Sequence, residues 1–255
     1  YIYGARFLMA MHAAGLVAEE AKEAHEKATR FYISGIETLE IPDNGGWNYS
    51  RGPLDKTGSA SPFMTAPALQ ALFEAKRAGI EFDPKVVQRG LGALGRTRTD
   101  DGHIAYSAQE QTQESSRMIP GAIGRMVAVE TVRSQAGQGS PEDLRRALDA
   151  FNEHWNELLK RKSKSGTHVR PYGVAPYYFF YAHGYAAEAI EELPEADRAP
   201  YRKKLMELLF STREKDGVWN DRVFLRSRAY GTSIALQIMT QSEAKPAARW
   251  NKADN

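Results

Sequence analysis

The chain contains no cysteine. Disulfides, thiolate metal ligands and a cysteine nucleophile are excluded together. No apolar run approaches the roughly 18 residues that a membrane-spanning helix needs. An excess of one charge is missing too. Thirty-four Lys and Arg stand against 32 Asp and Glu, a formal charge of +2, so electrostatics gives no reason to expect a nucleic-acid partner. The one basic run, Lys160 to Lys164, is short and suits a solvated helix end. The six histidines show neither a His-Glu-x-x-His pair nor another close ligand spacing, so neither a metal nor a cofactor is expected. No run of strands with period-two alternation is present, beyond short extended pieces at 47–49 and 103–106. No signal peptide is visible, and helical patterning begins at Tyr1. The chain therefore reads as a piece of something longer.

What is present is a repeat. Gly turns followed by an aromatic or a histidine recur at Gly45-Gly46-Trp47-Asn48-Tyr49, Asp101-Gly102-His103, Ser165-Gly166-Thr167-His168 and Asp216-Gly217-Val218-Trp219. Gly46, Gly102, Gly166 and Gly217 are 56, 64 and 51 residues apart, a period of about 57, which is the signature of stacked supersecondary units. A second marker agrees: Tyr3-Gly4-Ala5-Arg6-Phe7 is similar to Tyr230-Gly231-Thr232-Ser233-Ile234, 227 residues later. Pro67, Pro120 and Pro176 each precede an apolar segment, as expected of proline in a first helical turn.

Each repeat reads as a Gly turn, an apolar helix and a more charged helix. Asp83-Pro84 and Ser140-Pro141 are N-terminal signals, a cap followed by proline. Gly79 marks a stop. Behind Ser140, Leu144, Leu148, Phe151, Trp155 and Leu158 form one stripe. In the early segment, Ala21, Ala24, Ala28, Phe31 and Tyr32 are expected to face inward. A helix apolar nearly all round is buried on most sides, whereas an amphipathic one faces water. Alternation of the two kinds specifies an all-α ring or superhelix, with apolar helices inside.

The stretches Gly45 to Gly52, Leu69 to Leu72, Lys76 to Ile80, Tyr177 to Ala182 and Asp216 to Trp219 resemble repeats of the prenyltransferase and squalene-oxidase family. The resemblance runs from Tyr3 to about Met239. It implies an α/α toroid, with inner helices ringed by outer ones. About four and a half repeats are visible, so the implied ring is small or incomplete. One repeat domain over 1–243 is expected, followed by a polar, frayed tail over 244–255.

The reactions known in that family need residues that this chain lacks. Hopene-type cyclases protonate an alkene with Asp-x-Asp-Asp. The nearest segment here is Arg98-Thr99-Asp100-Asp101, where a cation stands at the first position and favours ionisation of its neighbours. Protein prenyltransferases bind zinc through Asp, Cys and His, and complement-type thioester domains need Cys-Gly-Glu-Gln. Neither set exists without cysteine.

The rim at the Gly turns is where binding residues would gather. The candidates are Trp47, Tyr49, Arg51, His103, Tyr106, Arg117, Tyr172, Tyr177, Trp219, Asp221, Arg226, Arg228 and Tyr230, with Tyr178 beside them. Aromatic and arginine side chains together suit a glycan, an acidic small molecule or a protein segment. His103 and His168 hold equivalent turn positions. The expectation is a binding or scaffold domain that uses the rim or cavity of the toroid, with a small molecule, glycan or protein as partner and a secreted or periplasmic setting favoured. The alternative is an enzyme, either a polysaccharide lyase, for which Tyr106 with His103 or Asn48 with Tyr49 and Arg51 offers the residue types, or an unorthodox terpenoid cyclase.

Overall fold

A computed structural model describes residues 1–49, 58–99, 102–107, 119–251 and 254. Among them the chain is all-helical, without strands. The helices are α1 (Ile2–Ala13), α2 (Lys22–Thr38), α3 (Pro62–Arg77), α4 (Pro84–Thr97), α5 (Ile119–Gln135), α6 (Pro141–Arg161), α7 (Tyr178–Glu192), α8 (Glu195–Phe210) and α9 (Ser227–Thr240).

Odd-numbered helices form the inner layer. α1 packs on α3, α3 on α5, α5 on α7 and α7 on α9. Even-numbered helices lie outside, each against the inner helix before it. The result is a toroid-like arrangement of hairpins. Burial follows the expected division. In α5 every residue from Gly121 to Val132 is buried, whereas α6 buries one stripe, Leu144, Ala147, Leu148, Phe151, Trp155 and Leu158. Among the described residues, α1 and α9 do not pack on one another as the other inner neighbours do. The ring has a gap there.

The Gly turns work as staples. At Gly46 and Gly217 the backbone is left-handed, with φ of 78° and 90°, a region open to glycine without steric cost. The turn delivers a buried tryptophan to the end of the preceding outer helix. Trp47 Nε1 donates to the Ile36 carbonyl at 2.7 Å, and Trp219 Nε1 to the Leu209 carbonyl at 3.0 Å. The same residues hold the next inner helix, because the Trp47 amide donates to Thr65 Oγ1 at 3.0 Å and the Trp219 amide to Thr232 Oγ1 at 3.1 Å. Each indole donates to a carbonyl in the last turn of the outer helix, where intrahelical donors run out; the Leu209 carbonyl also accepts from Thr212.

The expected caps are present. Asp83 accepts from the Lys85 amide at 3.0 Å and Ser140 from the Asp143 amide at 3.1 Å. Helix α3 stops before Gly79, which has φ of 73°. Of the two extended pieces, 103–106 pairs locally, through an antiparallel bridge between Arg98 and Ile104.

Three expectations need correction. Pro67 does not open its helix; α3 begins at Pro62, because the Trp47 turn already grips Thr65. The inward face of α2 is Thr29, Ile33 and Ile36, while Ala21, Ala24 and Phe31 are exposed. The buried stripe lies one residue on from Ala28 and Tyr32, about 100° around the helix. The described start of the tail is packed. Residues 244–250 cross the end of the ring opposite the Gly turns. Trp250 is 3% exposed, stacked on Phe73 with centroids 6.0 Å apart and tilted against Phe82. Its amide donates to the Gln135 carbonyl at 3.0 Å, Arg249 pairs with Glu192 at 2.7 Å, and Arg77 donates to the Pro246 carbonyl at 2.7 Å. Composition marked the strap as polar, but its one tryptophan anchors it.

Candidate functional site

The axis of the ring changes character from one end to the other. Helix α7 shows this best. Tyr178, Tyr181, Tyr185 and Glu188 recur at three- and four-residue spacing, so they share one face. Near the Gly turns the axis is aromatic. Phe63 stacks on Tyr178 with centroids 4.5 Å apart and touches Tyr181 at 5.0 Å.

Deeper along the axis, inner helices supply polar groups at one level. Arg6 of α1 donates through Nε to Glu74 at 3.2 Å and through Nη1 to Gln70 at 3.3 Å, both on α3. Gln70 Nε2 donates to Glu188 of α7 at 2.6 Å and to Gln135 of α5 at 3.1 Å. Tyr185 Oη donates to Gln70 Oε1 at 3.0 Å. Arg6 Nη2 lies 3.1 Å from Glu74 and 4.0 Å from Glu188. Burial pushes the Glu188 carboxyl above its ordinary range, and Arg6 opposes the rise. The neighbouring carboxylates hold the Arg6 guanidinium firmly protonated against the effect of its own burial.

Two cavities flank this network. One, of about 440 Å³, lies between the network and the C-terminal strap, with Gln237, Gln241 and residues 244–249 among its walls. The other, of about 390 Å³, fills the gap between α1 and α9 and is lined by Tyr3, Arg6, Phe7 and Ala10 on one side and by Tyr230, Ile234 and Gln237 on the other. Tyr3 and Tyr230, Phe7 and Ile234, and Ala10 and Gln237 are equivalent positions of the sequence repeat. Gly184 and Tyr181 of α7 form the back wall.

A second cluster sits at the Gly-turn rim. Tyr178 Oη and His168 Nε2 are 2.7 Å apart, and Tyr177 Oη lies 3.5 Å from the same nitrogen. Tyr106 meets the His168 ring edge-on at 5.7 Å. Burial lowers the His168 pKa, and the Arg125 guanidinium lowers it further, so the imidazole is neutral at neutral pH. Arg125 is itself buried, donates to the Ile104 and Gly121 carbonyls at 3.2 and 2.9 Å, and stands over the Tyr106 ring at 5.6 Å. Burial raises the Tyr49 pKa, with Tyr106 adding to the rise.

The sequence candidates therefore separate. Tyr49, Tyr106 and Tyr177 meet at the rim with Tyr178 and His168. Tyr230 lines the gap cavity. Trp47 and Trp219 are buried staples. The Tyr172 carbonyl packs against Gly121, leaving no room for a Cβ there. The carbonyl of half-buried His103 accepts from the Thr99 amide at 2.9 Å. Asp221 and Arg226 lie in the turn before α9, and Arg228 lies in its first turn. Asp221 is 1% exposed, Arg226 lies 4.9 Å over the Phe224 ring, and Arg228 pairs with Asp216 across the turn. Arg51 and Arg117 lie outside the described residues, as do Asp100 and Asp101.

No family model matches the chain, and no curated protein matches it. Solved structures do. A Salmonella α-2-macroglobulin reacted with methylamine aligns with 91% of this chain at TM-score 0.53 and 18% identity, and the aligned part is 13% of that protein. A protein from Actinoplanes aligns with 94% of this chain at TM-score 0.49 and 19% identity, over 66% of its own length. E. coli α-2-macroglobulin in its native conformation aligns with 89% of this chain at TM-score 0.49 and 15% identity, over 13% of its length. The Salmonella match is a likeness of fold alone, and this chain spans about an eighth of that protein.

Sequence reading missed Arg6, Gln70, Glu74, Gln135, Tyr185 and Glu188. A signal existed. Gln70 is a polar residue inside the buried run from Ala66 to Ala75, and the α7 stripe carries three tyrosines and an acid at helical spacing.

Proposed function

We propose that this chain is a ligand-binding domain without a catalytic role, and that the ring centre is where its ligand sits. The observation that carries this reading is the polar network between Arg6, Gln70, Glu74, Gln135 and Glu188, contributed by four inner helices and bordered by cavities. A ring needs no such network for stability. Replacing a buried ion pair with apolar side chains of the same volume is often neutral, or stabilising by about 1–4 kcal/mol. Concave sites with a few convergent polar groups are the usual form of small-molecule pockets.

Gly184 provides the test. A Cβ placed there meets only Ile234 Cγ2, at 3.7 Å, so Gly184→Leu fills the gap cavity without backbone conflict. Replacing a helical glycine also adds about 0.5–1 kcal/mol of helix stability. The measurement is ligand-observed NMR with a panel of cationic, neutral and anionic fragments. The reading expects fragments that bind the wild-type chain and lose binding to Gly184→Leu, whose melting temperature stays level or rises. Absence of any binder, or binders indifferent to the substitution, refutes it.

An enzymatic reading has one observation in its favour, the neutral His168 paired with Tyr178 beside Tyr106 and Arg125. A neutral imidazole next to a phenol is suited to moving a proton, as a polysaccharide lyase requires. Incubation with acidic glycans would then yield unsaturated ends in the wild type and none in His168→Ala. Equal yields from both, or none from either, count against it.

A further inference from the structure

The gap cavity has walls and a floor of different chemistry. Tyr3, Phe7, Tyr181 and Tyr230 supply aromatic wall, and Glu74 and Glu188 are the acids at its base. One guanidinium, that of Arg6, serves both. Glu74 holds it at 3.1 Å, and Glu188 Oε1 is left 4.0 Å away, beyond hydrogen-bond reach. Glu188 Oε2 accepts from Gln70 at 2.6 Å, whereas Oε1 accepts no hydrogen bond among the described residues. The side chain keeps 15% of its surface open, and it lines both cavities. The base of the site therefore holds two acids against one base, and one carboxylate oxygen lacks a donor.

Those facts select among ligand charges. An anion would face Glu74 and Glu188 with only a guanidinium that is already engaged. A neutral apolar molecule would desolvate Oε1 and offer nothing in return, which is costly for a carboxylate. A protonated amine supplies the donor and the missing charge, and the aromatic wall favours a cation and the carbons attached to it.

Building on the ring-centre reading above, we infer that the gap cavity binds a protonated alkyl amine, with its ammonium on Glu188 Oε1 and its carbon chain along Tyr3, Phe7, Tyr181 and Tyr230. Burial raises the Glu188 pKa in the empty chain, and an arriving cation beside the carboxylate opposes that rise. Two sources share this chemistry, a free polyamine and the lysine side chain of a peptide.

The test is calorimetric titration of the full chain at neutral pH with n-butylammonium, and with 1-butanol and butyrate as partners of the same length. The expected result is binding of butylammonium on the order of tenfold tighter than either control, the worth of one charge-assisted hydrogen bond. Glu188→Gln is expected to lower butylammonium affinity by about tenfold or more. Tyr230→Ala, at a position 44% exposed and so safe for folding, is expected to lower it severalfold and keeps the inference testable if the Glu188 variant does not fold. Spermidine and Nα-acetyl-lysine methylamide, titrated in parallel, identify the source by which binds more tightly. Butylammonium affinity no better than that of butanol, or unmoved by both substitutions, overturns the inference. Binding of butanol or butyrate in the cavity without the amine overturns it while sparing the ring-centre reading. Failure of every fragment overturns both.

Discussion

Replacing Asp221 with asparagine should stabilise the protein, and only above a defined pH. Asp221 follows the second Trp staple and is 1% exposed. Its carbonyl accepts from the Ser163 amide at 2.8 Å, which ties the α6–α7 loop to this turn, but its Oδ1 has no hydrogen-bond partner. Burial raises the carboxyl from 3.8 to about 6, against the opposing pull of its own amide, Arg222 and Lys162. Below pH 3.8 the group is protonated whether the chain is folded or not. Between 3.8 and about 6 the unfolded chain gives up the proton and the folded chain keeps it. The folded state then binds more protons, so stability falls as pH rises through this window and the full cost applies above it. A difference of that size is worth at most about 3 kcal/mol. Relaxation around a newly charged carboxylate makes about 1–3 kcal/mol the expected range. Asparagine keeps the shape and carries no charge at any pH. Urea unfolding of wild type and Asp221→Asn, at about pH 7.5 and about pH 3.5, should show the variant more stable by that amount at the higher pH and close to wild type at the lower. An equal gain at both values, or a loss at the higher one, refutes the argument.

Three further outcomes follow from the packing. Trp47→Phe leaves the Ile36 carbonyl unpaired in a buried site and should cost about 1–3 kcal/mol in urea unfolding; a loss within error would show that the staple is dispensable. Trp250→Ala removes the anchor of the strap between Phe73 and Phe82 and should cost about 3–5 kcal/mol, with faster proteolysis of the last residues. Arg6→Met leaves Glu74 and Glu188 without their shared cation and should cost about 2–4 kcal/mol at neutral pH. That cost should shrink in acid, where the carboxylates are neutral, and a pH-independent loss would mean that Arg6 acts through packing alone.

The hairpin repeat was legible because its parts are local. A Gly turn, a proline near a helix start and a fully apolar segment announce themselves within a dozen residues, and the structure has the inner and outer helices where that pattern placed them. The Trp residues were legible as repeat markers, yet their hydrogen bonds are what consume them. The polar centre was not legible as a unit. Arg6 and Glu74 are 68 residues apart and Gln70 and Glu188 are 118 apart, and each sits singly in a helix that otherwise looks like core. Only closure of the inner layer brings them to one level. The resemblance between Tyr3 to Phe7 and Tyr230 to Ile234 was the nearest hint, since equivalent positions of the first and last inner helices should face the same centre. The α2 stripe was misread by one residue, from Ala28 and Tyr32 to Thr29 and Ile33, and one residue is about 100° around a helix.

The strap has a consequence for the order in which the molecule is assembled. Each Trp staple joins residues 10 to 18 positions apart, so a hairpin can settle almost as soon as it leaves the ribosome. Trp250 reaches back to Phe73 and to the Gln135 carbonyl, contacts that wait until every hairpin of the ring has been made. Until they form, the far end of the ring lies open and the polar centre is wet from below. Seating of this strap is therefore the step that turns a row of finished hairpins into a vessel with a floor.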